Sequence, residues 1–170
     1  MTDRQLRGAV AGGTLLILLA TALAGCVHYR SPPEQALSEA TRSARDKAER
    51  GRQVVEAALR SSEAEVPPAA LELGRTGFEE TVGSDGLSRV LESASRPDGS
   101  VQFDLAIVGG GETGGGLTYA ATTVLLCARL TATPGRDARA AIADLPCPSG
   151  LTSKGGPLYG QVNQVVTLKG

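Results

Sequence analysis

Gly109, Gly111 and Gly114 stand in the spacing Gly-x-Gly-x-x-Gly, directly after the apolar alternation of Val101, Phe103, Leu105 and Ile107. That spacing matches the dinucleotide fingerprint, in which a glycine-bounded turn brings a pyrophosphate against a helix N-terminus. The chemistry needs a helix to open immediately after the glycines. Here the residues from Leu117 to Val124 read Leu-Thr-Tyr-Ala-Ala-Thr-Thr-Val, which favours a strand. Six glycines in the eight positions from Gly109 to Gly116 also satisfy the pattern by composition alone. The stretch reads as a hairpin loop rather than a nucleotide cradle, and no cofactor is expected.

Nucleophilic chemistry has little to work with. His28 is the only histidine and lies far from the rest of the chemistry-bearing residues, which argues against Ser-His-Asp and Cys-His arrangements. A Ser-Lys dyad would draw on Lys47, Lys154 or Lys169, and no Ser-x-x-Lys helix surrounds them. Ser153-Lys154 sits in a glycine-rich stretch and reads as solvated. Paired carboxylates remain open, with Asp104 and Glu112 as candidates for hydrolysis. Asp104 falls on the polar face of its strand and is expected to be exposed. Glu72, Glu79 and Glu80 form an acidic cluster without the spacing of a metal loop, so a solvated face is expected and no metal site.

Arg4 and Arg7 precede an apolar run from Ala9 to Ala22, which leads into Leu23, Ala24, Gly25 and Cys26. A basic head, a short apolar core and small residues before a cut site make an export signal. Ending at a cysteine, this one resembles the lipobox of bacterial lipoproteins. The resemblance implies a signal peptide over residues 1–25, cleavage between Gly25 and Cys26, and a diacylglyceryl group with chains such as palmitate on the Cys26 sulfur. It places the mature chain on the extracytoplasmic face of the cell membrane, with the membrane itself as first partner. The competing reading is an uncleaved membrane helix, but the run of 14 residues falls short of the roughly 20 a span needs. The resemblance covers the signal only; residues 27–170 resemble no family.

Composition bounds the rest. Residues 26–170 suffice for one domain with a modest core. The net charge is −1 over the whole chain and −2 once Arg4, Arg7 and Asp3 are removed. That balance argues against nucleic acid, which calls for a basic surface. Tryptophan is absent and aromatics make up 3%, so stacking sites for sugars or bases are not expected. The excess of Arg over Lys, with much Ala and Gly, is the bias of a high-GC bacterium of actinobacterial type. Outside the membrane, paired thiols tend to be oxidised. With Cys26 taken by lipid, Cys127 and Cys147 remain as one expected disulfide. An intracellular zinc or redox site would need closer cysteines or further histidines.

These residues must be positioned by a small set of elements. Residues 26–33 form a lipidated tether, stiffened by Pro32-Pro33. Residues 34–64 carry apolar positions Leu37, Ala40, Ala44, Ala48, Val55, Ala58 and Leu59 at mostly three- and four-residue spacings, an Ala-rich helix that Pro67-Pro68 stops. From Val66 to Gly86 a loop is expected, with one helical turn at Ala69 to Leu73. Leu87 to Ser95 fits a strand or a helix. Arg96-Pro97-Asp98-Gly99 is a turn, and Val101 to Ile107 is a half-buried strand. Leu117 to Thr133 is a long strand, and Arg139 to Leu145 is read as a strand rather than a helix. Cys127 and Cys147 are equidistant from Asp137, so a hairpin folded there would set them opposite each other. Val162 to Leu168 is a last strand. The expected fold is α+β, a long N-terminal helix followed by a mostly antiparallel four- or five-stranded sheet of hairpins over residues 65–170. The expected role is non-enzymatic binding of an envelope protein, a cell-wall component or a small ligand. An envelope hydrolase using carboxylates and a structural spacer are the alternatives.

Overall fold

The computed structural model of the chain describes residues 30–61, 66–116 and 118–169. Cys26, its lipobox and His28 lie outside them. Among the described residues the architecture is α+β, with two α-helices on one face of a five-stranded, mostly antiparallel sheet.

Helix α1 spans Pro32–Leu59. Its start is set by proline at the first turn, where the missing N–H would be unpaired anyway. The Glu34 carboxylate accepts the Ser31 N–H at 2.8 Å, which satisfies a further end group. The buried stripe is Ala36, Ala40, Ala44, Ala48, Gly51, Val55 and Leu59, the helical period the sequence shows. The helix ends at Leu59, five residues before the expected limit at Ala64.

Helix α2, Pro67–Thr81, corrects the expectation of a loop. Pro67 and Pro68 begin a helix here rather than merely ending one, since they occupy its first two positions. Gly74 and Gly77 weaken helix propensity, but both are needed for close packing. A Cβ on Gly74 would stand 2.5 Å from the Phe103 ring, and one on Gly77 would stand 3.1 Å from Val54. Gly51 of α1 does the same for Phe78, at 2.6 Å. Glycines in both helices thus make sockets for the only two phenylalanines, each wholly buried.

Strands β1 (Arg89–Ser95), β2 (Val101–Gly115), β3 (Thr118–Ala132) and β4 (Ala140–Asp144) are neighbours in that order, all antiparallel. Strand β5 (Gln164–Val166) pairs parallel to β3, the one departure from an antiparallel ladder. The stretch from Leu87 to Ser95, open between helix and strand in the sequence, is strand from Arg89. The preference for strand after Arg139 agrees with β4.

Alternation divides the sheet into two faces. Val101, Phe103, Leu105 and Ile107 of β2, with Val124, Leu126, Ala128 and Leu130 of β3, join the helices in the main core. Ala106 and Val108 of β2, with Leu125 and Cys127 of β3, form a smaller core on the other face. The segment after β4 crosses that face and covers it with Leu151 and Leu158. The Cys127–Cys147 disulfide, with 5.2 Å between Cα atoms, fastens the segment. The hairpin register pairs Ala128 with Asp144 and Ala132 with Ala140, so its mirror point is Arg136 rather than Asp137. Leu145, not Cys147, is the residue whose N–H reaches the Cys127 carbonyl. The disulfide therefore ties a strand to the loop that leaves the sheet, and does not bridge two facing strand residues.

Candidate functional site

The stretch read as a floppy glycine loop is sheet. Strand β2 runs through Gly109, Gly110, Gly111 and on to Gly115, paired residue for residue with β3 up to Gly115 against Thr118. No helix opens after the glycines, so the nucleotide fingerprint lacks its essential partner. The glycines at odd positions have a packing reason instead. A Cβ on Gly109 would stand 2.3 Å from the Ala40 carbonyl oxygen, and one on Gly111 would stand 2.2 Å from that of Ala36. Helix α1 thus rests on β2 at backbone contact, with alanine on one side and glycine on the other. Gly110 faces away, with nothing within 4 Å. Near the tip, Gly114 has φ +93° and its position for a Cβ is 1.7 Å from the Thr118 carbonyl oxygen, so only glycine fits there.

Beyond the other strands, β2 and β3 continue alone as a ribbon from Gly110 to Thr123. In an antiparallel strand each residue turns its N–H and C=O to the same neighbour, and the side alternates. Strand β1 pairs with β2 only as far as Arg89 against Ala106. At Val108 two side chains stand in for the missing strand: the Ser88 hydroxyl accepts the Val108 N–H at 3.1 Å, and the Lys47 ammonium donates to the Val108 carbonyl at 2.8 Å. Lys47 is itself held by Asp85, whose carboxylate also accepts the N–H groups of Leu87 and Ser88. The Asp85 carboxyl lies below its usual range; burial opposes this, and the hydrogen bonds from Lys47 and the two amides outweigh it.

The next residues turned to that side are Gly110 and Glu112, and among the described residues no strand meets them. The opposite edge is closed one step further toward the tip, since Thr123 stands level with Gly110. Asn163 takes the Thr123 N–H on its side-chain oxygen and gives its own N–H to the Thr123 carbonyl, both at 2.8 Å. Ala121 and Tyr119 follow, and among the described residues no strand lies beside them. A shallow depression of about 390 Å³ lies at the base of the ribbon, lined by Glu39, Gly110, Gly111, Glu112, Ala121 and Thr122 among others. Tyr119 is 62% exposed, and the Glu112 carboxylate, accepting its phenol proton in a hydrogen bond, raises the Tyr119 pKa.

The other candidate residues do not converge. Asp104 is not exposed, as its strand position suggested, but buried, with 7% of its surface exposed. Its neighbour across the ladder is Arg129, which donates two hydrogen bonds of 2.7 Å to its carboxylate oxygens. The guanidinium holds the Asp104 carboxyl below the usual range. Eight residues of strand, roughly 26 Å at the usual rise, separate Asp104 from Glu112. These two carboxylates therefore cannot share a substrate bond. Glu72 and Glu79 lie on α2 around Arg75, which pairs with both. Among the described residues no group of three His, Cys, Asp or Glu is placed to hold a metal ion, and no helix is long and apolar enough to cross a membrane. Ser153 bonds to the Gly150 carbonyl within its own loop.

The Lys47–Asp85–Ser88 cluster escaped the sequence reading, because its members are drawn from a helix, a short 3-10 turn and the residue just before β1. The open edge escaped as well, since sequence shows where strands run but not where their neighbours stop. No family model, no curated protein and no solved structure matches the chain.

Proposed function

We propose that this chain is a lipid-anchored cell-envelope lipoprotein that acts by non-enzymatic binding, with the β2–β3 ribbon as its binding element. The Leu23-Ala24-Gly25-Cys26 box supports the anchor. The observation that carries the binding role is the bare edge at Gly110 and Glu112. A strand edge offers a row of backbone donors and acceptors, and proteins ordinarily protect such edges with Lys, Pro or a covering element. No Lys, Arg or Pro occurs from Gly109 to Thr123. The ribbon is also backed on one side by α1, so its conformation is set before anything binds.

One preparation of the native envelope fraction tests both halves. Mass spectrometry is expected to find the chain beginning at Cys26 with a diacylglyceryl mass, and C26A is expected to leave it unlipidated. A wild-type chain still beginning at Met1 without lipid would refute the anchor. Cross-linked partners recovered with the wild type are expected to be lost with Gly110→Pro, which removes an outward N–H that β3 does not use. Partners retained equally by both would refute the ribbon as binding element.

A further inference from the structure

We infer that the β2 edge accepts an extended segment of another protein, added as an antiparallel strand at Gly110 to Glu112, and that this segment carries two consecutive basic residues. The inference rests on the ribbon as binding element and names what it takes.

The backbone argument fixes the form of the occupant. Val108 has its outward N–H and C=O satisfied by Ser88 and Lys47, so a new strand begins one step further on, in line with β1. Gly110 has no side chain in the way and no atom within 4 Å of where one would be. Such edges recognise an extended chain through main-chain hydrogen bonds, and side-chain surroundings supply selectivity.

The charges fix its chemistry. Glu112 projects on the face turned away from α1. Glu39, on α1, stands on the opposite face, with its Cβ 3.0 Å from the Cβ position of Gly111. Both are exposed. Lys47, at the base of the slot, is engaged by Asp85, and Arg42 lies three residues beyond Glu39 on α1. A strand laid along this edge points alternate side chains to the two faces. One of its residues therefore meets Glu112 and the next meets Glu39, and a pair of adjacent basic residues satisfies both. A second copy of this chain brings its own Glu39 and Glu112 instead, and like charges across a strand pair are destabilising.

The test uses the full chain purified in detergent and isotopically labelled, with amide exchange read residue by residue. The probes are a capped hexapeptide of threonine-valine-lysine-lysine-valine-threonine, its counterpart with glutamate for lysine, and the lysine peptide with alternate amides N-methylated. The lysine peptide is expected to slow exchange at Gly110 and Glu112 by about tenfold or more at saturation. The N-methylated peptide is expected to leave it unchanged. The lysine peptide should bind about fivefold or more tightly than the glutamate peptide, and E112K should reduce or reverse that preference. Equal binding of the two charged peptides, with protection at Gly110 and Glu112, would overturn the basic segment while leaving the ribbon as a binding element. No protection by any peptide would overturn both. Protection already present in the free chain, with the mass of a dimer, would assign the edge to a second copy and overturn the proposal. Lipid attachment is read from the N-terminal mass of the same sample, so its failure is separate.

Discussion

Asp104 is the most tightly held charge in the sheet. It is buried, yet Arg129 meets it with a two-pronged contact, and Gln102 donates a further hydrogen bond at 3.2 Å. Its pKa is lowered, chiefly by Arg129. A carboxylate whose folded pKa lies below its unfolded value adds stability above the unfolded value, and that stability is lost as pH falls through the folded one. Acid should therefore destabilise the protein progressively below about pH 4, the ordinary carboxylate range. Asp104→Asn is expected to cost about 1–2 kcal/mol at pH 7 and to flatten the acid limb. Urea melts of both proteins at pH 7 and pH 3 check this; an unchanged pH dependence in the variant would assign the acid limb to other groups. The sequence showed Asp104 alternating with apolar neighbours and so suggested exposure. It could not show that the opposing strand places an arginine directly across from it.

Glycines at the α1–β2 contact give a sharper residue test. Gly109→Ala and Gly111→Ala must push the helix away from the sheet, because each new methyl meets backbone rather than a movable side chain. Losses of about 1–3 kcal/mol or more are expected for each. Gly110→Ala, directly between them but turned to the other face, meets nothing and should change stability little. Thermal melts of the three variants decide it, and equal effects would mean that the helix does not sit this close. The glycine run was plain in the sequence, but its meaning was not. A loop and a closely packed strand share the same letters, and the distinction lies in what faces each glycine across the layer.

At the scale of elements, strand β3, the first half of β2, the turn at Pro97-Asp98-Gly99 and the helix stripe were legible because each has a local period or local turn chemistry. Helix α2 was not legible, since its prolines serve as both stop and start and its glycines lower propensity for the benefit of Phe103 and Val54. Strand β5 is three residues long, and its parallel pairing depends on a chain path that no local pattern encodes. The disulfide was anticipated from compartment and cysteine count, although the hairpin symmetry used to support it is offset. The two cysteines are 20 residues apart in sequence, so replacing both with serine should cost about 2–4 kcal/mol. Because Cys127 belongs to the smaller core with Leu151 and Leu158, the loss should appear first as exposure of residues 145–163. Limited proteolysis of wild type and variant is the measurement. Cleavage rates in that segment unaltered by the substitution would mean that the apolar contacts alone hold it.

For the molecule as a whole, the two faces of the sheet carry different duties. One holds the main core under the helices, and the other carries a small core under a covalently fastened strap. Side chains of α1 join the layers at one end: Glu56, held within the helix by Arg52 and Arg60, accepts the Ala140 N–H at 3.1 Å. At the other end of α1 the fully buried side chains against the sheet are alanines, and Leu37 beside them is only partly buried. Ala36, Ala40 and Ala44 are all fully buried, but each buries far less apolar area than Val55 and Leu59 of the opposite end. Complete burial there accompanies a small attractive area, so the helix is held unevenly along its length. On warming, its first turns should detach while its last turns stay docked, and the glycine ribbon would then lose its backing before the fold itself melts. The open edge would thus carry its own, lower temperature limit, set by the size of a methyl group.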